Sequence, residues 1–174
     1  MASAQNPDVR LLVLDVDGVL TDGRIWMDDA GQQARAFHIQ DGLGVAMWRG
    51  VGRTTAILTS KRSKGVAARA GMLGITLLEQ GAEDKLPGLE RLLAAANVTA
   101  EQTAYIGDDL LDLVAMRRVG YPIAVANAVD DVKKVSRYVT KRQGGEGAVR
   151  EAIEHLLLEH QLWDQAIAAI GADR

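Results

Sequence analysis

The chain has 174 residues, 48% of them hydrophobic, which suits one domain with a sizeable core and leaves little room for a second. A net charge of -3 weighs against nucleic acid as the main partner, and the absence of cysteine excludes disulfides, thiolate metal sites and a cysteine nucleophile. No apolar stretch reaches the roughly 18–20 residues of a membrane span, and the N-terminus lacks a leader pattern, so a cytoplasmic protein is expected.

Residues 1–9 are expected to be a disordered terminus. Residues 11–16 (LLVLDV) form a continuous apolar run ending in Asp-Val-Asp-Gly and read as a strand buried on both faces. Residues 24–27 and 33–39 flank Asp28-Asp29-Ala30-Gly31 and predict a β-hairpin over about 24–37. A helix at 42–50, a buried strand at 54–59 and an Ala-rich helix at 63–72, stopped by Gly74, come next. The pattern then predicts a strand at 75–78, an amphipathic helix at 84–96, a helical turn opening at Thr99 and a strand at 103–107. Further elements are a helix at 109–118, a strand at 121–126, a helix at 129–135, a short strand at 137–139 and a helix at 146–159. The tail 161–174 keeps helical apolar spacing. Strands alternating with helices predict an α/β fold for residues 10–160, with a mainly parallel sheet flanked by helices.

In open α/β sheets, ligands bind beyond the carboxyl ends of the strands. Here those ends deliver Asp15 and Asp17, then Thr59 and Ser60, then Gly107, Asp108 and Asp109 with Asp112 one turn on, while Lys85 opens the helix after the third strand. Taken singly, Lys85 fits a solvated helix residue and Asp108 and Asp109 fit an N-cap. Taken together, they aim carboxylates, hydroxyls and one amine at a single crevice. Clustered carboxylates repel unless a cation holds them. An all-oxygen set favours a hard ion such as Mg²⁺. A metal, an anion-binding Lys and a free Asp describe phosphoryl transfer.

The set Asp15-Val-Asp-Gly-Val-Leu-Thr-Asp22, Thr59, Lys85 and Gly107-Asp108-Asp109-x-x-Asp112 resembles the four motifs of the haloacid dehalogenase superfamily, and so implies its Rossmann-like fold. By motif position, Asp15 resembles the nucleophile that forms an acyl phosphate, and Asp17 the general acid and base. The resemblance implies Mg²⁺ held by Asp15, Asp108 and the Asp17 carbonyl. It implies phosphoryl contacts from Thr59, Ser60 and Lys85, and orientation of metal-bound water or Lys85 by Asp109 and Asp112.

The stretches from Asp15 to Thr59 and from Thr59 to Lys85 are filled by the predicted elements, so no separate cap domain fits. Aspartyl-phosphate chemistry still gains from excluding water, and a protruding hairpin from a neighbouring subunit is the obvious cover. Thr21-Asp22-Gly23, residues 36–44 (AFHIQDGLG), Gln80-Gly81 and residues 144–151 (GGEGAVRE) then bring the chain close to the capless sugar-acid phosphatases, the 3-deoxy-D-manno-octulosonate 8-phosphate phosphatase family. The resemblance spans about residues 9–160 and implies a homotetramer joined through its hairpins, acting in lipopolysaccharide precursor synthesis. Two departures concern the sugar end. Gly-Arg after the second motif is Ser60-Lys61-Arg62 here, and Gly-Gly-Arg-Gly near the C-terminus is Gly144-Gly145-Glu146-Gly147. Lys61, Arg62 and Glu146 are therefore candidate substrate contacts, and Asp41, before Gly42, is a further one or else a cap for the helix at 42–50. Glu146 keeps a nine-carbon ulosonate 9-phosphate open as the alternative substrate, and a catalytically silent oligomerisation module is the alternative of another class.

Overall fold

Four apolar residues with no polar alternation belong at the centre of a sheet, and β1 (Leu11–Leu14) lies there, buried throughout. The computed structural model describes residues 7–172. Of the terminal segment 1–9, residues 1–6 lie outside the described residues, and Val9 is fully buried. β1 pairs in parallel with β4 (Thr54–Thr59) on one side and β6 (Thr103–Gly107) on the other. The sheet continues outward to β5 (Leu77–Gln80) beyond β4, and to β7 (Tyr121–Ala124) and β8 (Tyr138–Val139) beyond β6. All of these pairings are parallel. Leu14 lies opposite both Ile57 and Ile106, so the residues that follow, Asp15, Thr59 and Asp108, emerge at one edge of the sheet. The chain order reverses direction across β1, which places a switch-point crevice at that edge.

Helices cover both faces. α1 (Ile39–Gly50) packs with α6 (Ala148–Glu159) and α7 (Trp163–Ala169) on one face. α2 (Lys64–Met72) lies beside α1, where Arg69 Nη2 donates to the His38 carbonyl at 3.3 Å. α3 (Lys85–Ala96), α4 (Leu113–Met116) and α5 (Asp130–Val135) line the other face. The core is built from Leu, Val, Ile and Ala, with Trp48 fully buried and its indole N–H donated to the Thr54 carbonyl at 3.0 Å. Among the described residues there is no cap domain and no helix long and apolar enough to cross a membrane.

The helix expected at 42–50 begins three residues earlier, at Ile39, and the strand expected at 121–126 ends at Ala124; three further shifts have a local cause. The strand expected at 75–78 runs from Leu77 to Gln80, because Ile75 belongs to the end of α2: its N–H bonds the Ala70 carbonyl at 2.9 Å and its side chain seals that turn. The helix expected at 109–118 is a 3₁₀ turn (Leu110–Asp112) followed by one turn of α4. Asp112 turns its carboxylate back onto the N–H groups of Asp108 and Asp109, and Asp109 caps Leu110 at 2.7 Å, so side chains replace helical bonds there. The hairpin pairs only β2 (Trp26–Met27) with β3 (Gln33–Ala34), and all four residues are exposed. Asp28 Oδ1 accepts from the N–H groups of Ala30 and Gln32 at 3.0 and 2.8 Å, closing the turn early. Two strands with no covering layer gain little by pairing further.

Candidate active site

After Asp15 the chain leaves the sheet in an irregular turn over residues 16–20. Thr21 Oγ1 ties this turn together, accepting from the N–H groups of Gly18 and Gly23 at 3.3 and 3.2 Å and donating to the Val16 carbonyl at 3.3 Å. Gly18 has φ +103°, and a Cβ there would collide with the Asp108 carboxylate. A glycine therefore lets the carboxylate from β6 close onto the β1 turn. A second loop lies on the first. Gly145 N–H donates to the Val19 carbonyl at 3.0 Å, and a side chain at Gly144 would strike the Gly18 carbonyl. This loop is braced by Glu151, which accepts from the N–H groups of Lys141 and Arg142 at 2.8 and 2.9 Å and from the Tyr138 hydroxyl at 2.8 Å.

Lys85 begins α3 just after the N-cap Asp84, which accepts from Leu86 N–H at 3.0 Å. Its ammonium group is 2% exposed and donates to Asp15 Oδ1 at 2.7 Å, Asp112 Oδ1 at 2.6 Å and the Tyr105 oxygen at 3.2 Å. The Tyr105 hydroxyl in turn donates a hydrogen bond to Asp112 Oδ1 at 2.7 Å. Asp112 Oδ2 accepts from the N–H groups of Asp108 and Asp109 at 2.9 and 3.2 Å. Both oxygens of Asp112 are thus engaged by fixed donors, which makes it a brace for Lys85. Asp108 differs: its Oδ1 is buried with no hydrogen-bond partner.

These groups face a cleft of about 210 Å³ that brings together Asp15, Asp17, Thr59, Ser60, Lys61, Lys85, Asp108, Asp109 and Asp112. Nine of the twelve residues singled out in the sequence therefore meet at one place. The other three do not line it. Arg62 lies over Gly81. Glu146 is exposed on the 144–147 loop. Asp41 is buried in the first turn of α1, where Oδ1 accepts from Arg150 N–H at 2.8 Å, so it joins α1 to α6. Asp109 reaches the cleft but makes no bond to Lys85; its carboxylate caps the turn that follows.

The charges do not balance. Burial, then the repulsion of Asp112, push Asp15 up to about 6 despite Lys85. Burial, then Asp15, Asp112 and Asp109, push Asp108 up to about 8. Burial pulls Lys85 down, but Asp15 and Asp112 outweigh it and leave its pKa above the usual value. Three carboxylates against one ammonium, with an unpartnered oxygen on Asp108, form a set that a divalent cation fits: ligand oxygens of Asp15, Asp108 and Asp112 lie within 4.8 Å of one another. With Asp112 saturated by donors, Asp15 and Asp108 are the side chains free to take the ion.

Two participants escaped the sequence reading. Tyr105 read as a core strand residue, and its hydroxyl role follows only from the position of Asp112 across the turn. Arg35, just after β3, makes a two-pronged ion pair with Asp17, Nε to Oδ1 at 2.6 Å and Nη2 to Oδ2 at 3.2 Å. Nothing local marks a hairpin arginine as one that folds back onto the β1 turn.

Residues 58–153 match the haloacid dehalogenase-like hydrolase family. The 3-deoxy-D-manno-octulosonate 8-phosphate phosphatase of Yersinia pestis is 44% identical over 151 residues, 87% of this chain and 81% of that protein. The crystal structure of the Moraxella catarrhalis phosphatase of the same name, in complex with a magnesium ion, a phosphate ion and a KDO molecule, superposes with a TM-score of 0.90 at 40% identity, covering 95% of each chain. A cobalt-bound deoxy-D-mannose-octulosonate 8-phosphate phosphatase of Haemophilus influenzae gives 0.87 at 38% identity, over 92% of each chain. With the fold, the four strand-end motifs and these likenesses in agreement, this chain belongs to the haloacid dehalogenase-like hydrolases.

Proposed function

We propose that the chain is a magnesium-dependent phosphatase that hydrolyses 3-deoxy-D-manno-octulosonate 8-phosphate to the free sugar acid and phosphate. The observation that carries the reading is the buried Lys85 bridge between Asp15 and Asp112, set in one cleft with the unpartnered oxygen of Asp108. The named relatives supply the substrate.

In this reading an Asp15 carboxylate oxygen attacks phosphorus, and the bond to the sugar oxygen breaks as Asp17 gives that oxygen a proton. Asp17 then takes a proton from water, whose oxygen attacks phosphorus and frees Asp15. Lys85, Thr59 and Ser60 neutralise and orient the phosphoryl oxygens, and Lys61, which lines the same cleft, is our candidate for contact with the sugar. Mg²⁺, held by Asp15, Asp108 and the Asp17 carbonyl, would supply charge neutralisation at the phosphoryl group. Asp109 and Asp112 hold the walls of the site. The nine-carbon alternative drew on Glu146, which lies outside the cleft, so the structure gives it no support of its own. A silent module has no use for an assembled Lys85 network.

Phosphate release from the eight-carbon and nine-carbon substrates, with Mg²⁺ and with chelator, tests the reading. Metal-dependent turnover of the eight-carbon ester, reduced at least a thousandfold in Asp15→Asn, is expected. Preference for the nine-carbon ester would replace the substrate, and full activity in Asp15→Asn would remove the mechanism. We also propose a homotetramer joined through the hairpins, supported by Ile25, Trp26 and Met27, which stand 41%, 69% and 64% exposed on one protruding ribbon. A monomer by light scattering would exclude it.

A further inference from the structure

We propose that Arg35 is a positioning residue for the leaving-group step: it fixes the aim of Asp17 and so couples the hairpin to the chemistry. This rests on the reading of Asp17 as the acid.

The hairpin is almost wholly exposed, and Gln33, Ala34 and Ala36 around Arg35 all face solvent. The Arg35 side chain is the exception, only 3% exposed. It turns toward the β1 turn, with Nε and Nη2 meeting the two oxygens of Asp17 at 2.6 and 3.2 Å, while Nη1 makes a longer bond to Gln33 Oε1 at 3.4 Å. A planar guanidinium gripping both oxygens sets the carboxylate's rotation as well as its place, which an ammonium does not. Asp17 needs that grip. It sits in the irregular turn after β1, with backbone angles of -79° and 105°, outside any regular hydrogen-bonding ladder. Among the described residues no other side chain holds its carboxylate. Asp15 is pinned by Lys85 from the core side. Asp17 is pinned from the hairpin side, by a residue eighteen positions along the chain. A proton donor contributes about 10²–10⁴-fold only when held within reach of the departing oxygen, and a small misplacement forfeits much of that. Arg35 is therefore the part of the scaffold that makes Asp17 effective.

A plain structural role for Arg35, docking the hairpin, would weaken all turnover alike. A role through Asp17 depends on the leaving group. A sugar alkoxide needs a proton as it departs, whereas p-nitrophenolate does not. The test compares kcat/KM, which reports transfer to Asp15, for the octulosonate ester and for p-nitrophenyl phosphate in Arg35→Ala, Arg35→Lys, Asp17→Asn and the double variant. Arg35→Ala is expected to lose at least tenfold on the sugar ester and less than threefold on the aryl ester, with Arg35→Lys between it and the wild type on the sugar ester alone. Adding Arg35→Ala to Asp17→Asn should cost nothing further on the sugar ester. Equal losses on both esters, or a full additional loss in the double variant, would overturn the proposal. Should Arg35→Ala fail to fold by circular dichroism, the ratio for Arg35→Lys decides. Should the wild type reject the octulosonate ester but split another alkyl phosphate, the substrate reading fails and the Arg35 ratio is read on that ester instead.

Discussion

Lys85 carries more of this structure than its place at a helix start suggests. Its ammonium is buried between Asp15 and Asp112 at 2.7 and 2.6 Å and is the cation that both of them face. Removing one partner of a buried charge set leaves the others uncompensated, which costs about 3–5 kcal/mol. Lys85→Met keeps most of the volume and none of the charge. It is expected to lower unfolding stability by about that amount in metal-free buffer and to abolish phosphate release. Mg²⁺ should restore part of the stability, because a cation at Asp15 and Asp108 supplies some of the missing charge, while activity stays lost because the phosphoryl oxygens keep no ammonium. Urea unfolding with and without Mg²⁺ separates the two effects. An unfolding midpoint unchanged from wild type in metal-free buffer would show that Asp15 and Asp112 do not share a buried charge network.

At the scale of elements, Glu151 braces the loop before α6 from within that helix, and Asp41 of α1 holds the first turn of α6 that the loop leads into. Asp41 accepts the Arg150 N–H at 2.8 Å, while its Oδ2 is buried without a partner, and burial pushes its pKa up. Asp41→Asn keeps an acceptor for Arg150 and removes a buried charge, so its melting temperature should stay close to the wild-type value. Asp41→Ala strands the Arg150 N–H and is expected to cost about 1–3 kcal/mol, with activity falling as the 144–147 loop loosens over Gly18. If Asp41→Asn proves as damaging as Asp41→Ala, the carboxylate itself is needed at the site. The same contrast between local and distant partners explains what the sequence revealed. β1, β4 and β6 were legible because an unbroken apolar run closed by turn residues has one stable home, and their ends carried Asp15, Thr59 and Asp108 with them. The limits of β5 and the break at 109–118 were not, because Ile75 and Asp112 are claimed by hydrogen bonds that residue type alone does not announce. Asp41 and Arg35 act through Arg150 and Asp17, partners that only the folded chain brings near.

Across the whole molecule, the cleft makes stability depend on pH and metal together. Asp15 and Asp108 have folded pKa values of about 6 and about 8, both raised from 3.8. Between those limits the metal-free native state holds protons that the unfolded chain has released. The stabilisation these two groups give is therefore complete below about pH 4 and is lost as the pH rises through 6 and then 8. A divalent cation reverses the cost, since it favours the ionised carboxylates and binds more tightly as they lose protons. Measuring the rise in melting temperature caused by saturating Mg²⁺ at each pH cancels every group that titrates without touching the ion. That rise is expected to be small near pH 5.5 and largest near about pH 8.5. In Asp108→Asn, which removes the more strongly raised carboxylate, the metal-induced rise should shrink at every pH, and the metal-free decline above neutrality should flatten. A magnesium effect of equal size across the range, or one that survives intact in Asp108→Asn, would mean that the ion acts elsewhere and that the Asp15 and Asp108 pair is not its seat.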